Sequence, residues 1–293
     1  MSARQTVGII GVGNMGGGMA RRLLSLGWTV HVRDIDDSKT SALQALGAVV
    51  QDSPAALTAA VDRLIVCVID TPQVESVLFG PQGVSQSLRA GQTLMLCPTL
   101  SPEDVESFGQ RLVALGAHVM DAPMSGGPQR AAEGTMSLMV AAPTAVFQAH
   151  QDWLDALSGL VFHVGERVGD GARTKLANNM LAGINLVGAA QVLAMAQRMG
   201  LDLSKTLDVM ERSSGQSWIS SDRLRRALVN DYAPRAHVTL LEKDTRLAVQ
   251  AGDAVGFTPE LGRLAAAVFA QAHAAGLAEE DDASVFKLYT LQS

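Results

Sequence analysis

Residues 6–20 read TVGIIGVGNMGGGMA. The apolar run at 7–10 reads as a buried strand, and a helical pattern opens at 15 and continues to 25. Between them GVGNMG places Gly11, Gly13 and Gly16 at the spacing G-x-G-x-x-G, with Asn14 and Met15 inside the loop. After a strand and before a helix, this spacing lets a dinucleotide pyrophosphate rest on the amides of the helix N-terminus. The next apolar run, 29–33, leads into Asp34, 18 residues after Gly16. A carboxylate at that point accepts hydrogen bonds from the adenosine ribose hydroxyls and repels a 2′-phosphate. Asp36 and Asp37 add to the repulsion, so NAD is expected as cofactor, and Arg33 is the nearby cation that keeps NADP open.

Outward from this unit the chain alternates β-rich runs with helical patterns, which argues for βαβ units and a parallel sheet. Strands are expected at 7–10, 29–33, 63–68, 93–97 and 118–121, with helices at 15–25, 39–46, 72–78 and 102–115. Two further strand-like runs, 137–142 and 160–164, flank a helical pattern at 145–157. Residues 171–199 form one long helix, about 40 Å at 1.5 Å per residue, with Arg198 in its last turn and Gly200 as its stop. Beyond it the patterns at 202–211, 220–229, 238–251, 259–275 and 283–288 are all helical. The expected architecture is an α/β Rossmann-type dinucleotide-binding domain over 1–165, an interdomain helix over 166–200 and an all-α C-terminal domain over 201–293.

Composition narrows the function classes. At 293 residues the chain exceeds what one hydrophobic core usually serves. With aromatics at 4%, the interior must be built from Ala, Val, Leu, Ile and the 12 Met. A net charge of -6 without a basic cluster argues against nucleic acid as a partner. The N-terminal residues lack the hydrophobic region and cleavage site of a signal peptide, so a cytoplasmic location is expected. The apolar run 176–196 has the length of a membrane span but contains Asn178, Asn179, Asn185 and Gln191, which would be expensive in hydrocarbon; a buried helix and no membrane are expected. Cys67 and Cys97 lie in apolar runs and read as core thiols. The six histidines show no ligand spacing, so no metal is expected.

Three further segments carry candidate chemistry. GDGARTKLANN, residues 169–179, sets Lys175 before Asn178 and Asn179 on one helix face, and apolar residues follow it. Lysine is scarce in this chain, and unlike arginine it can give up its proton, so a lysine on a buried helix is a candidate for proton transfer. DAPMSGGPQRAAEGTM, residues 121–136, offers the Ser125 hydroxyl and the backbone amides of Gly126 and Gly127 to a carboxylate. LLEKDTRLA, residues 240–248, reads by its spacing as a surface Glu-Lys-Asp run.

These segments in this order resemble the β-hydroxyacid dehydrogenase family, which includes 3-hydroxyisobutyrate dehydrogenase and tartronate semialdehyde reductase. The resemblance covers nearly the whole chain through GVGNMGGGMA, DAPMSGGPQRAAEGTM, GDGARTKLANN and EKDTRLA. It implies that Lys175 is the catalytic acid/base with Asn179 assisting it, that Ser125, Gly126 and Gly127 hold the substrate carboxylate, and that Thr99 and Lys243 contact the cofactor. Val68 and Ile69 stand where the family often has Leu-Pro beside the adenosine. SSGQSW (213–218), NDYAPR (230–235) and EEDDASVFKLY (279–289) resemble a subgroup acting on four-carbon sugar acids, the L-threonate dehydrogenases.

The expected reaction interconverts a small hydroxy acid and its oxo acid or semialdehyde by hydride transfer. The substrate is expected to be L-threonate or a similar acid, with 3-hydroxyisobutyrate and tartronate semialdehyde as alternatives. A catalytically silent cofactor-binding scaffold and an imine reductase compete with this reading, and the presence of Lys175 disfavours both. The helical domain and the resemblance imply a homodimer or homotetramer.

Overall fold

A computed structural model describes residues 5–290. The chain divides into two compact units, residues 1–175 and 176–293. The first is built on a nine-stranded sheet: β1 (Thr6–Ile10), β2 (Thr29–Arg33), β3 (Val49–Val50), β4 (Arg63–Val66), β5 (Thr93–Leu96), β6 (His118–Asp121), β7 (Met124–Ser125), β8 (Ser137–Ala141) and β9 (Leu160–Gly165). Their order is β3-β2-β1-β4-β5-β6-β8-β7, with β9 also paired to β8. Strands β3 to β6 along this path are mutually parallel. β8 runs antiparallel to β6 and β7, so the expected parallel sheet acquires a mixed edge.

Both faces of the sheet are covered, which explains why its central strands are continuous apolar runs rather than alternating ones. Along β4 and β5, Ile65 and Met95 point into one core cluster while Leu64, Val66, Leu94 and Leu96 point into the other. Short polar residues start the covering helices. Asp70 accepts the Gln73 amide at the start of Thr71–Phe79, and Ser101 accepts the Asp104 amide at the start of Pro102–Ala114. Cys97 is buried in the first cluster and Cys67 packs against it.

The expected elements are present, several with shifted ends; the helix expected over 259–275 stops at Ala272, and the one expected over 283–288 is a tight turn, Asp282–Phe286, followed by the helix Lys287–Thr290. The short strands β3 and β7 and the helices Pro54–Ala60 and Gly127–Glu133 were absent from the expectation. The helical pattern at 145–157 is two helices, Thr144–Ala149 and Gln151–Leu157, broken at His150. The helix expected over 171–199 runs from Asp170 to Arg198 and carries the boundary between the units.

The second unit is helical: the remainder of Asp170–Arg198, then Leu203–Glu211, Trp218–Leu228, Val238–Ala254 and Glu260–Ala272, followed by short turns at His273–Leu277 and Asp282–Phe286 and the helix Lys287–Thr290. Its core gathers Leu186, Ala190 and Leu193 from the long helix with Leu207, Leu224, Phe269 and Val285. The long helix is apolar enough to cross a membrane by composition, yet half of its most apolar window is buried in the protein. It is a core helix. A buried ionic cluster holds the C-terminal segment: Asp281, fully buried, accepts from Arg226 Nη2 at 2.8 Å and from the Arg235 amide at 2.8 Å, while Arg223 Nε donates to Asp282 at 2.5 Å.

Candidate functional site

The crossover from β1 to β4 at the middle of the sheet is a topological switch point, where α/β sheets bind ligands beyond the carboxyl ends of their strands. Four expected groups sit at such ends. The glycine loop follows β1, Asp34 follows β2, and the half-buried Val68 and Thr99 follow β4 and β5. Gly11 takes a φ of +88°, and a side chain at Gly16 would press into the Gly11 carbonyl. The helix Asn14–Ser25 therefore starts directly against the strand.

Its N-terminus has no side-chain cap, and nothing lies within 4 Å of where a Cβ at Gly13 would stand. Uncapped amides, an open glycine and the helix dipole suit a pyrophosphate. Asp34 closes the other side. Its Oδ2 accepts the Val12 amide at 2.8 Å and its Oδ1 accepts the Asp36 amide at 3.0 Å. The carboxylate thus ties the glycine loop to the end of β2, a contact that spacing alone did not reveal.

A cavity of about 330 Å³ opens beside this loop, between Asn14–Ser25 and the helix Asp37–Gln44. Gly13, Asn14, Arg21, Ser38, Lys39 and Pro128 are among its lining residues. Arg21 and Lys39 bring positive charge that the sequence reading did not place here; Lys39 also pairs with Asp36 at 3.4 Å.

Ser125 ends β7, pairing with Ser137 of β8, and Gly126 and Gly127 follow with φ of +125° and +78°. Two successive residues in this region turn the backbone sharply, and all three are half-buried, so the turn remains reachable. Its helix, Gly127–Glu133, packs near Gly18 of the nucleotide-loop helix, where a Cβ would stand 2.9 Å from Ala131 Cβ. The Ser125–Gly127 turn and the glycine loop belong to one packed assembly.

Lys175 is the last residue of the first unit and is only 7% exposed, so its ammonium does not snorkel to the surface. Asn179 follows one helical turn later and is equally buried, whereas Asn178 is exposed and donates to Asn179 Oδ1 at 3.1 Å. Asn179 Nδ2 in turn donates to Asp244 Oδ2 at 2.6 Å, and Lys243 Nζ lies 2.9 Å from Asp244 Oδ1. This corrects the surface reading of the EKD run: Asp244 is 6% exposed. Leu241, Asp244, Thr245 and Ala248 share the buried face of Val238–Ala254. The spacing i, i+3, i+4, i+7 was the signal that could have placed Asp244 inside.

Close helix packing sets this contact. A Cβ at Gly183 would meet Thr245 Cγ2 at 2.7 Å, so glycine lets Val238–Ala254 approach the long helix one turn beyond Asn179. Among the described residues no group of three or more His, Cys, Asp or Glu is placed to hold a metal ion.

Comparison with known proteins agrees with this architecture. The model of the NAD binding domain of 6-phosphogluconate dehydrogenase matches residues 6–165, and that of the NAD-binding part of NADP-dependent 3-hydroxyisobutyrate dehydrogenase matches residues 169–289. An L-threonate dehydrogenase of Cupriavidus necator is 33% identical over 285 residues, covering 97% of this chain and 96% of its own. A 3-hydroxyisobutyrate dehydrogenase of Pseudomonas aeruginosa is 33% identical over 293 residues, covering 97% and 98%. The crystal structure of a 3-hydroxyisobutyrate dehydrogenase from Salmonella typhimurium superposes with a TM-score of 0.90 at 33% identity, covering 97% of this chain and 99% of that one. The nicotinamide-dinucleotide fold, the helical second unit and these whole-length likenesses converge: the chain belongs to the 3-hydroxyisobutyrate dehydrogenase family of NAD(P)-dependent hydroxyacid dehydrogenases.

Proposed function

We propose that this enzyme oxidises L-threonate or a similar four-carbon sugar acid with NAD, and that Lys175 is its general acid/base. The observation that carries the chemistry is a lysine 7% exposed, one helical turn before an asparagine that is itself anchored to a buried carboxylate. The substrate class is supported by the likeness to L-threonate dehydrogenases over 97% of the chain.

The bound nicotinamide ring supplies the hydride acceptor. Ser125 and the amides at Gly126 and Gly127 hold the substrate carboxylate, which orients the hydroxyl-bearing carbon. The Lys175 amine takes the hydroxyl proton, a step that requires it to be neutral beforehand. In reduction the ammonium returns the proton and stabilises the developing negative charge. Asn179, held by Asp244, keeps a polar neighbour on the Lys175 face of the helix. Gly11, Gly13, Asn14, Met15 and Gly16 seat the pyrophosphate, Asp34 the ribose, and Val68, Thr99 and Lys243 contact the cofactor.

NAD is favoured because Asp34 would repel a 2′-phosphate, while Arg21 and Lys39 in the adjoining cavity leave NADP as the second cofactor reading. The second substrate reading is 3-hydroxyisobutyrate, favoured by the Pseudomonas and Salmonella likenesses. The exposed Leu181, Val192, Met195 and Leu264 of the helical unit support self-association as a dimer or tetramer.

The test is a panel of L-threonate, 3-hydroxyisobutyrate, tartronate semialdehyde, L-serine and glycerate, each with NAD and NADP. The highest kcat/KM is expected for L-threonate with NAD. A higher value for 3-hydroxyisobutyrate transfers the assignment to that substrate, and no turnover of any of them sinks both readings.

A further inference from the structure

Asp121 ends β6 and is 1% exposed, yet no step above uses it. Its Oδ2 accepts the Gly169 amide at 2.8 Å and the Ala172 amide at 2.9 Å. These are donors of the first turn of Asp170–Arg198, which no intrahelical carbonyl can satisfy. Helices usually take such a cap from the side chain just before them. Gly169 has none, and the acceptor comes instead from a strand 48 residues earlier in the chain.

The seat is fitted to the carboxyl group. At Gly171 a Cβ would stand 2.7 Å from the Asp121 carbonyl oxygen and 2.8 Å from its Cγ, so a side chain there would drive the two apart. Two functional segments meet at this joint. Ser125 lies four residues after Asp121 along the chain, and Lys175 lies one helical turn beyond Gly171.

We propose that Asp121 is a positioning residue, which pins the start of the long helix to the end of β6 and thereby fixes Lys175 along the helix axis relative to the Ser125–Gly127 turn. This rests on the reading of Lys175 as the acid/base. Displacing the helix start by a fraction of a turn would move the amine out of hydrogen-bond reach of a held hydroxyl, and proton transfer is steep in that distance.

Titration gives the joint a signature. Burial pushes the Asp121 carboxyl up to about 6, against the pull of the Ala172, Gly169 and Gly171 amides, and Asp170 raises it further. The Cys97 thiol also faces it and is itself pushed well up by burial, so it stays neutral. Above about pH 6 the cap is charged and strong; protonation below that weakens it.

The experiment uses Asp121→Asn, Gly171→Ala and Lys175→Ala in the full chain, with the best substrate of the panel. Readouts are kcat, substrate KM, the Kd of NADH from its fluorescence, thermal midpoint and the pH profile. For Asp121→Asn, kcat is expected to fall about 10- to 100-fold, the effect of losing a charge-assisted contact. NADH Kd should stay within about twofold, because the glycine loop is untouched. Below about pH 6 kcat of the unmodified enzyme should fall more steeply than protonation of the general base alone requires, and that extra steepness should vanish in Asp121→Asn. Gly171→Ala, which keeps the carboxyl but unseats it, should reproduce the kcat loss even if Asp121→Asn fails to fold.

Unchanged kcat in both variants would overturn the proposal while an inactive Lys175→Ala left the acid/base reading standing. Losses of kcat and NADH binding that merely track the fall in thermal midpoint would also overturn it, leaving Asp121 a plain helix cap. Near-normal turnover by Lys175→Ala would remove both readings together.

Discussion

Replacing Asp34 with alanine separates the contact that the structure shows, to the Val12 and Asp36 amides, from the proposed one to the adenosine ribose. The side chain accepts the buried Val12 amide at 2.8 Å and the more exposed Asp36 amide at 3.0 Å, and it stands where the adenosine ribose of NAD is expected. Water can replace the contact at Asp36, so its loss costs little. Leaving the Val12 amide without its acceptor costs about 1–3 kcal/mol, and losing a charged acceptor for the ribose hydroxyls costs a comparable amount, each reduced by partial exposure. A combined loss of about 2–3 kcal/mol weakens NADH binding about 30- to 150-fold at 1.4 kcal/mol per tenfold. NADPH loses the loop support too, but it also escapes the repulsion of its 2′-phosphate. The NADH preference should therefore narrow by about tenfold or more. Fluorescence titration of both reduced cofactors measures this. Equal weakening of NADH and NADPH would show that Asp34 only braces the glycine loop, and NADH binding unchanged within about twofold would refute both roles.

Three further perturbations test the second unit. Asn179→Ala removes the 2.6 Å donor to Asp244 and should lower kcat about 10- to 100-fold, less than loss of Lys175, with NADH affinity held in a titration run alongside. Gly183→Ala places a methyl 2.7 Å from Thr245 Cγ2; overpacking of this kind costs about 1–3 kcal/mol, to be seen as a lower thermal midpoint together with reduced kcat. Asp281→Ala leaves Arg226 without its 2.8 Å partner in a buried cluster, and a loss of about 3–5 kcal/mol in urea unfolding is expected; a loss under about 1 kcal/mol would show that the cluster relaxes around the change.

The glycine loop, the alternation of strands and helices and the long helix were legible because each is a local pattern. Periodicity marks a strand or helix wherever one face is buried, and the glycine spacing sits where β1 meets its helix. Elements held mainly by tertiary pairing were not legible. β3 and β7 are two residues each and exist through register with β2 and β8. The break at His150 likewise carries no glycine or proline to announce it.

The site shows the same division. Lys175, Asn179 and the Ser125 turn stand out as types and spacings within short segments. Asp244 was misread because a Glu-Lys-Asp run looks solvated until its helical phase with Leu241 and Ala248 is considered. Asp121 could not be placed at all from spacing, since its partners, Gly169 and Ala172, are brought to it only by the folded sheet.

The central claim is that Lys175 transfers the proton, and single-turnover kinetics of Lys175→Ala test it most directly. NADH formation at 340 nm is followed after mixing enzyme and NAD with excess hydroxy acid, while NADH affinity is measured on the same protein. The expected result is a hydride-transfer rate lowered at least about 100-fold, the usual worth of a positioned acid/base, with NADH Kd within a few-fold of the unmodified enzyme. A rate within a few-fold of the unmodified enzyme would contradict the account and require another residue to take the proton.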